Sequence, residues 1–247
     1  MRITVFIISY NAEKTIERSL RSVQWADEIV VMDSYSTDRT VEICKRYTNQ
    51  VSLRKFTDYA DQKNFVLSQA TSEWVLSLDT DEEVTEDLKS EILKIIEMPG
   101  ALEGYRIPRR SFIFGREFKY SGTQDDRPIR LFRKDRARFE QPIHEIVRID
   151  GKIGVLTTPL LHYTYDTVSD YWERFNRYTS LEAEFLKDRN HSLTWLDLAA
   201  RPPLTFLRLY CLKQGFRDGW EGFLFCFLSA TYVFVKYAKF GEIKPAD

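Results

Sequence analysis

The chain has 247 residues, of which 43% are hydrophobic and 30% charged, and its formal net charge at pH 7 is −1. This length suits one α/β domain with an extension or two small domains, and the apolar content excludes global disorder. Because the charges nearly cancel, the composition gives no reason to expect a polyanionic partner such as nucleic acid.

The cysteines and the first residues indicate a reducing compartment. Cys44, Cys211 and Cys226 are odd in number and far apart, which suggests neither a disulfide framework nor a zinc site. We expect buried or inert thiols. The chain opens with a predicted strand and lacks the long apolar stretch of a signal peptide, so a cytoplasmic location is expected.

Short apolar runs alternate with amphipathic stretches over residues 1–100. The apolar runs predict strands over residues 3–8, 28–32, 51–53 and 74–78. Helical spacing predicts helices over residues 13–23, 38–47, 61–69 and 85–96, with Asp38 as an N-cap and Thr85 in an N-terminal turn. This alternation predicts an α/β fold with a mostly parallel sheet flanked by helices.

Polar residues collect where the predicted strands end. They are Ser9, Asn11, Asp33, Ser34, Ser36, Asp38, Asp79 and Asp81. In parallel sheets ligands bind outside the carboxyl ends of the strands, so these positions predict a binding site.

The segment Asp79-Thr80-Asp81 brings two carboxylates, one residue apart, to the end of an apolar strand. Residues with this spacing in an extended strand share a face. Mg²⁺ or Mn²⁺ bound there would complete its shell with substrate phosphates and water. The alternative is an acidic turn before the helix predicted at residue 85, and Glu82 and Glu83 are expected to favour that helix start.

Asp33 ends the second predicted strand and is followed by hydroxyl-rich residues. Carboxylate and hydroxyl groups there suit hydrogen bonds to a nucleotide base or ribose. A strand, turn and N-cap at Asp38 is the structural alternative, and the two interpretations are compatible.

In chain order, Ser9-Tyr10-Asn11, Asp33-Ser-x-Ser-x-Asp-x-Thr, Gln62-Lys63-Asn64 and Leu78-Asp79-x-Asp81 resemble the motifs of family 2 glycosyltransferases. Residues 124–133 and 141–145 resemble the subset that contains lipopolysaccharide core β-glucosyltransferases. The resemblance implies a GT-A fold, which contains a Rossmann-like sheet. It also implies an inverting, metal-dependent transfer of a sugar from a UDP-sugar to a lipid-linked or lipopolysaccharide-core acceptor. UDP-glucose is the expected donor. No Q-x-x-R-W motif is found, which favours a single transfer over polymer synthesis.

The same resemblance implies individual roles. Asp81 is the expected principal metal ligand, Asp79 approaches the ribose or the metal, and Lys63 lies near the nucleotide or diphosphate. Asp33 contacts the uracil or ribose and Asp58 lies beside the base. Ser9 and Asn11 complete the expected nucleotide-sugar site.

The general base and the histidines have several interpretations. An inverting transfer needs one carboxylate to take a proton from the acceptor hydroxyl, and Glu145 is the first candidate, followed by Asp126 and Asp125. The two aspartates also suit ion pairs with Arg127 and Arg130. His162 is expected to be packed and hydrogen-bonded, or else to contact a phosphate or the metal.

We expect a catalytic domain over residues 1–165, with a nucleotide-sugar half (1–100) and an acceptor-side half (101–165). Residues 104–108, 115–120, 129–133 and 143–149 are predicted strands of an antiparallel extension, and this half is rich in Lys and Arg. The basic residues suit a solvated face, nucleic acid, or anionic lipid and phosphorylated glycolipid.

Residues 166–247 are predicted to form a helical region, with a helix over 171–188 and a break at Pro202-Pro203. The uncharged run 222–235 is too short to span a bilayer, which needs about 20 apolar residues. Aromatic and basic residues suit a helix in the membrane interface, so a peripheral location on the cytoplasmic face of the inner membrane is expected. Helices packed on the catalytic domain, or a homodimer, are the alternatives.

Two other functions are weighed against the transferase. A sugar nucleotidyltransferase also uses an α/β sheet and carboxylate-bound metal, but Ser9-Tyr10-Asn11-Ala12-Glu13 lacks its Gly-rich phosphate loop. A catalytically inactive membrane-surface adaptor would share the fold and bind liposomes without transferring sugar.

Overall fold

A computed structural model of the chain describes residues 3–141, 146–188 and 191–243. Two compact units are formed, the first by Met1–Arg109 and Arg127–His162 and the second by Arg110–Asp126 and Tyr163–Asp247. The strands are β1 (Ile3–Ser9), β2 (Glu28–Asp33), β3 (Val51–Leu53), β4 (Trp74–Leu78), β5 (Glu82–Glu83), β6 (Gly104–Arg106), β7 (Arg109–Ile113), β8 (Arg116–Phe118), β9 (Ile129–Arg133), β10 (Ala137–Glu140), β11 (Ile146–Ile149), β12 (Ile153–Val155) and β13 (Leu160–Tyr165). The helices are α1 (Ile16–Ser22), α2 (Thr40–Lys45), α3 (Tyr59–Gln69), α4 (Glu86–Glu97), α5 (Val168–Asp188), α6 (Trp195–Ala199), α7 (Arg201–Leu207) and α8 (Gly219–Glu242).

The first unit is built on a seven-stranded sheet in the order β12-β6-β9-β4-β1-β2-β3. Strands β4, β1, β2 and β3 are parallel, as the alternating sequence predicts. Ser9 pairs with Asp33 and Ile7 pairs with Leu78, so the carboxyl ends of β1, β2 and β4 lie at one edge. The mostly parallel α/β sheet is therefore confirmed.

Strands β6 and β9 lie inside this sheet rather than in a separate antiparallel extension. Strand β9 is antiparallel to both β4 and β6. All five residues of β4 are buried, and an apolar strand with an unpaired edge would leave buried backbone groups without hydrogen bonds. Pairing with β9 satisfies that edge, a long-range requirement that the local sequence pattern does not contain.

Apolar side chains fill both faces of the sheet. Because successive side chains of a strand point to opposite faces, Phe6 packs with Val66 beneath α3, whereas Ile7 packs with Leu20 and Ile92 beneath α1 and α4. Burying each of these large side chains stabilises the fold by roughly 1.5–3 kcal/mol. The two packed faces hold the strand ends in fixed positions.

Helix boundaries agree in part with the prediction. Thr85 caps α4 by accepting the N–H of Leu88 at 3.2 Å, as expected. Asp38 does not occupy the N-cap of α2, which is Arg39. The Asp38 carboxylate instead accepts the N–H of Thr40 at 3.0 Å and that of Glu13 at 3.1 Å, so it joins two loops at the sheet edge.

The second unit contains the β7–β8 hairpin and the C-terminal helices. Helices α5 and α8 pack through Tyr171, Phe175 and Leu228. The Pro202-Pro203 pair lies in the first turn of α7 rather than outside a helix, because proline needs no N–H donor there. Of the three free cysteines, Cys44 and Cys226 are buried and Cys211 is exposed.

One helical stretch, Gly215–Glu242, is apolar and long enough to cross a membrane by length and composition. Only 22% of its most apolar window is buried. The sequence argument against a spanning segment used the uncharged run alone, and the complete helix is longer than that run. Length therefore does not exclude a membrane span.

Candidate active site

A fixed turn follows β4. The hydroxyl of Ser19, on α1, donates to the carbonyl of Asp79 at 2.9 Å and also contacts that of Glu82. The Asp79 N–H donates to the Glu82 carboxylate at 2.8 Å, and the Glu82 N–H donates back to the Asp79 carbonyl at 3.1 Å. These bonds fix the turn that carries the Asp79 and Asp81 carboxylates.

Two carboxylates and three cations form a charge cluster on this turn. Asp79 contacts Lys63 Nζ at 3.4 Å and Arg109 Nη2 at 3.2 Å, and it also pairs with Arg130. Glu82 contacts Nη2 of Arg109 at 2.5 Å and Nη2 of Arg130 at 2.7 Å. The Glu82 side chain is fully buried, whereas that of Asp79 is 31% exposed. The cluster has a formal charge of one positive unit (three cations minus two carboxylates), and Asp79 is its most solvent-accessible member.

Burial and ion pairing act on this cluster in opposite directions. Burial alone raises the pKa of Asp79, but the positive charges of Arg130, Lys63 and Arg109 outweigh it, and the pKa lies below its ordinary value. The pKa of Glu82 is lowered in the same way by Arg109 and Arg130. Burial disfavours the charged Arg130, but the carboxylates raise its pKa. Asp79, Glu82 and Arg130 are therefore charged at neutral pH.

The expectation that Glu82 and Glu83 favour a helix start is wrong. They form β5, and the acidic residues in the first turn of α4 are Glu86 and Asp87. Glu82 is buried because β5 pairs with β13, and its carboxylate can remain charged there only with cationic partners.

Arg109 and Arg130 belong to the site, although no motif in the sequence predicts them there. Arg130 lies between apolar residues in β9, and its side chain is 6% exposed. A single arginine within an apolar strand is the signal available in the sequence, because a buried guanidinium requires a carboxylate partner. Among the described residues, Arg130 Nε is a buried donor without a hydrogen-bond acceptor.

Asp81 meets His162 beside the cluster. Strand β13 pairs His162 with Glu82 in antiparallel register, which brings the imidazole to the turn. The distance from His162 Nε2 to Asp81 Oδ1 is 3.7 Å, and the side chains are 14% and 10% exposed. Within the described ranges no group of three His, Cys, Asp or Glu is arranged to hold a metal. A cation held by Asp81 and His162 would therefore need substrate or water oxygens to complete its shell.

Asp33 organises the loops after β1 and β2. Its carboxylate accepts the Ser9 hydroxyl at 2.9 Å and the Ser36 hydroxyl at 2.6 Å, and it also accepts the Ser36 N–H at 2.7 Å. The side-chain oxygen of Asn11 accepts the N–H of Thr37 at 2.8 Å. Asp33 is completely buried, so it shapes the loop surface from below.

These loops contain strained backbone. Asn11 has φ 47° and Tyr35 has φ 61°. Left-handed backbone is uncommon for a bulky residue and costs on the order of 1–3 kcal/mol, and it concentrates at ligand-binding sites. Tyr35 is 57% exposed and was not assigned to the site from the sequence.

The two predicted residues of α3 have different surroundings. Asp58 is the N-cap and accepts the N–H of Asp61 at 2.8 Å. Lys63 is buried and directed towards Asp79, with Nζ 5.6 Å from the centre of the Phe139 ring. Lys63 therefore joins the charge cluster, while the contact described for Asp58 is structural.

Two of the three candidate bases belong to the second unit. Glu145 lies outside the described residues. Asp126 follows a short turn in the second unit and is half-buried, and Asp125 pairs with Lys213 at 2.7 Å in the same unit.

The fold and the site define an α/β protein whose acidic and basic side chains gather at the carboxyl edge of a mostly parallel sheet. The sequence matches the profile of glycosyl transferase family 2 over residues 4–157. The chain belongs to this family, and it is an enzyme of the glycosyltransferase class. The family resemblance stated from the motifs is confirmed.

Relatives match over nearly the whole chain. The lipopolysaccharide core biosynthesis glycosyltransferase LpsC of Rhizobium meliloti is 28% identical over 96% of this chain and 91% of its own length. An uncharacterized glycosyltransferase of Rickettsia typhi is 29% identical over 98% of this chain and 87% of its own length.

Among solved structures, S. aureus TarS 1-349 in complex with UDP-GlcNAc has a TM-score of 0.51 and 18% identity. The match covers 97% of this chain and 89% of that chain. The likeness shows a shared fold and confirms the expected GT-A architecture.

Proposed function

We propose that this protein is an inverting glycosyltransferase that moves glucose from UDP-glucose to a lipid-linked or lipopolysaccharide-core acceptor, with Mg²⁺ or Mn²⁺ as cofactor. The observation that carries the proposal is the meeting of Asp81 and His162 beside a charge cluster with an excess of one cation, where β4 ends. A metal site next to fixed cations suits the diphosphate of a nucleotide sugar.

We assign the metal to Asp81 and His162. The Asp81 carboxylate suits Mn²⁺ or Mg²⁺ when phosphate oxygens and water supply most of the remaining ligands, and the His162 imidazole favours Mn²⁺, the softer of the two ions. When bound, the metal neutralises charge on the leaving diphosphate. Asp79 was predicted to share this role, but it is already paired with three cations, so we assign it to holding Lys63, Arg109 and Arg130 in place.

The nucleoside is proposed to bind over the loops after β1 and β2. Ser9, Asn11 and Asp33 shape this surface, and the exposed Tyr35 offers a ring for stacking. Direct contact of Asp33 with uracil or ribose requires the Ser36 hydroxyl to leave its carboxylate. Asp58 lies at the start of α3, and its predicted contact with the base remains part of the proposal.

In the transfer, the acceptor oxygen forms a bond to the anomeric carbon, and the bond to the diphosphate oxygen breaks. A carboxylate takes the acceptor proton, and the bond-breaking electrons leave with UDP. Glu145 remains the first candidate for this base and Asp126 the second.

The acceptor class rests on the similarity to LpsC along almost the whole of both chains. Such an acceptor is attached to a membrane, so we propose that the enzyme acts at the cytoplasmic face of the inner membrane. Domain boundaries near residue 165 and the homodimer alternative remain predictions.

The test is a screen of UDP-sugars by thermal unfolding and by hydrolysis, with and without Mn²⁺. A donor that binds the native state raises the melting temperature, and we expect UDP-glucose to do so with metal present. The shift should vanish in Asp81→Ala and persist in Asp87→Asn, a control on the exposed start of α4. Equal shifts in all three proteins would contradict the metal role of Asp81, and no hydrolysis of any UDP-sugar would favour an inactive adaptor.

A further inference from the structure

Large apolar side chains are exposed along one surface of the second unit. We call it the α7–α8 face, and it includes Leu204, Leu207, Leu212, Phe216, Trp220, Phe223, Phe227 and Phe234. On α8 the spacing of Trp220, Phe223, Phe227 and Phe234 is three, four and seven residues, which places them in one stripe. Leu212 is 77% exposed and Trp220 is 65% exposed. A patch of this composition marks an interaction surface.

Basic side chains border the same face. A groove of about 270 Å³ between α7 and α8 is lined by Arg201, Arg208 and Lys236 together with Leu204, Thr205, Val233 and Tyr237. Arg201 pairs with Asp197 at 2.6 Å and Lys236 with Glu182 at 2.9 Å, whereas Arg208 is exposed on the same side of α7 as Leu204 and Leu207.

Two acidic groups near the start of α8 have partners outside this face. The buried Asp218 accepts the N–H of Lys119 and that of Tyr120, at 3.0 and 3.1 Å. Glu221 pairs with Arg116 at 3.1 Å. The α7–α8 face therefore combines exposed apolar side chains with Arg208, a basic residue in addition to the two that pair with Asp197 and Glu182.

We propose that the α7–α8 face docks on an anionic phospholipid surface, with α8 lying in the plane of the membrane. Leucine and aromatic side chains would enter the boundary between headgroups and acyl chains, while Arg208 and its basic neighbours bind lipid phosphates. This deepens the proposed membrane location by naming the surface and the lipid chemistry, and it does not depend on the identity of the donor sugar.

The contacts of α8 favour this in-plane arrangement over a membrane span. Tyr232 donates to Glu182 of α5 at 2.7 Å, and Lys239 donates to the Asn176 carbonyl at 2.9 Å. A spanning α8 would have to lose these partners or take the charged α5 into the hydrocarbon, where ionised groups are strongly disfavoured. One side of α8 is therefore fixed to the protein and the other is left for the membrane surface.

Charge also separates a membrane from a second copy of the chain. In a two-fold symmetric dimer the same patch meets itself, so Arg208 of each copy would face a surface that carries the same positive charge. An anionic bilayer offers opposite charge to every copy.

The experiment is co-sedimentation of the full chain with phosphatidylcholine vesicles, with or without phosphatidylglycerol. We expect binding only to the anionic vesicles, weakened by salt. Arg208→Gln should weaken it by roughly fivefold, the effect of one basic residue near the surface. Leu212→Gln combined with Trp220→Gln should weaken it by at least about tenfold, because two large apolar groups no longer leave water.

Matched controls are Arg46→Gln and Leu53→Gln, an exposed arginine and an exposed leucine of the first unit, which should leave binding unchanged. Equal binding to both vesicle types, or equal loss in the controls, would overturn the proposal. Retention after alkaline carbonate extraction would show a spanning helix and also overturn it. So would a dimer that the Leu212→Gln and Trp220→Gln pair dissociates without changing vesicle binding.

Hydrolysis of UDP-glucose without vesicles separates the two proposals. An α7–α8 face variant that still hydrolyses UDP-glucose but no longer binds vesicles would support the docking proposal. A wild-type protein that binds vesicles and hydrolyses no UDP-sugar would defeat the proposed function and leave the docking proposal standing.

Discussion

The two units of this glycosyltransferase differ in their buried ion pairs and in their exposed apolar side chains, although each unit buries carboxylates. In the first unit a carboxylate and a guanidinium, Glu82 and Arg130, are buried, and exposed large apolar side chains are scattered. In the second unit such side chains form the α7–α8 face, and the basic residues around it remain accessible. Burying charge requires paired geometry, which suits a site that fixes a small anionic substrate. Exposed apolar side chains do not fix a small ligand in one geometry, and those of the α7–α8 face suit attachment to an extended surface.

The largest effect is expected when the proposed metal ligand Asp81 is replaced. Asp81→Asn should lower kcat/KM by about a thousandfold, which corresponds to roughly 4 kcal/mol of lost transition-state stabilisation. The measurement is release of UDP from the donor in the presence of acceptor. His162→Gln should raise the Mn²⁺ concentration needed for half-maximal rate. If the Asp81 variant keeps wild-type activity, the site lies elsewhere.

The next effect concerns the buried charge. Glu82→Gln should destabilise the first unit by about 3–5 kcal/mol, because Arg109 and Arg130 lose a charged partner. Urea unfolding measures this. Glu86→Gln, at an exposed pair with Lys89, should change stability by less than about 1 kcal/mol. Similar losses of unfolding free energy in Glu82→Gln and Glu86→Gln would show that burial of the carboxylate does not determine the cost of removing its charge.

The buried charge should also make the stability of the first unit depend on pH. Asp79 and Glu82 have pKa values below their ordinary values of 3.8 and 4.5, so the folded state binds fewer protons than the unfolded state in this range. Their contribution is complete above the ordinary values and is lost as pH falls below them towards the folded-state pKa values. In urea titrations between pH 6 and pH 3 we expect a smaller decline for Glu82→Gln than for wild type.

A smaller effect is expected where the second unit uses charge internally. Lys239 donates to the carbonyl and side-chain oxygens of Asn176 and to the hydroxyls of Thr179 and Ser180. Lys239→Met should destabilise the contact between α5 and α8 by about 1–3 kcal/mol, measured by hydrogen exchange of α8 amides. Val233→Ala, which leaves these bonds in place, would separate lost hydrogen bonds from lost packing.

The smallest effect should come from the α7–α8 face itself. Leu212→Gln should change the free energy of unfolding by no more than about 0.5 kcal/mol, because the side chain is mostly exposed. Thermal unfolding without lipid measures this. A large destabilisation would mean that Leu212 supports the fold, and the contrast between the units would fail at that position.

Local sequence patterns sufficed to predict the α/β class, the positions of the first four strands along the chain and the carboxylates that follow β4. Period-two and period-3.6 patterns are local, and the carboxyl ends of parallel strands meet at one edge whatever the side-chain details. The motif order also sufficed for the family, because Asp33, Lys63, Asp79 and Asp81 occur in the expected succession.

The partners of the carboxylates in residues 79–82 depend on the tertiary structure. Arg109, Arg130 and His162 are far from residues 79–82 in the chain, and β9 and β13 bring Arg130 and His162 to the turn through strand pairing. Glu82 therefore pairs with Arg109 and Arg130 rather than favouring the start of α4. A buried ion takes the partner that the fold places beside it, and that choice depends on long-range pairing that no local pattern records.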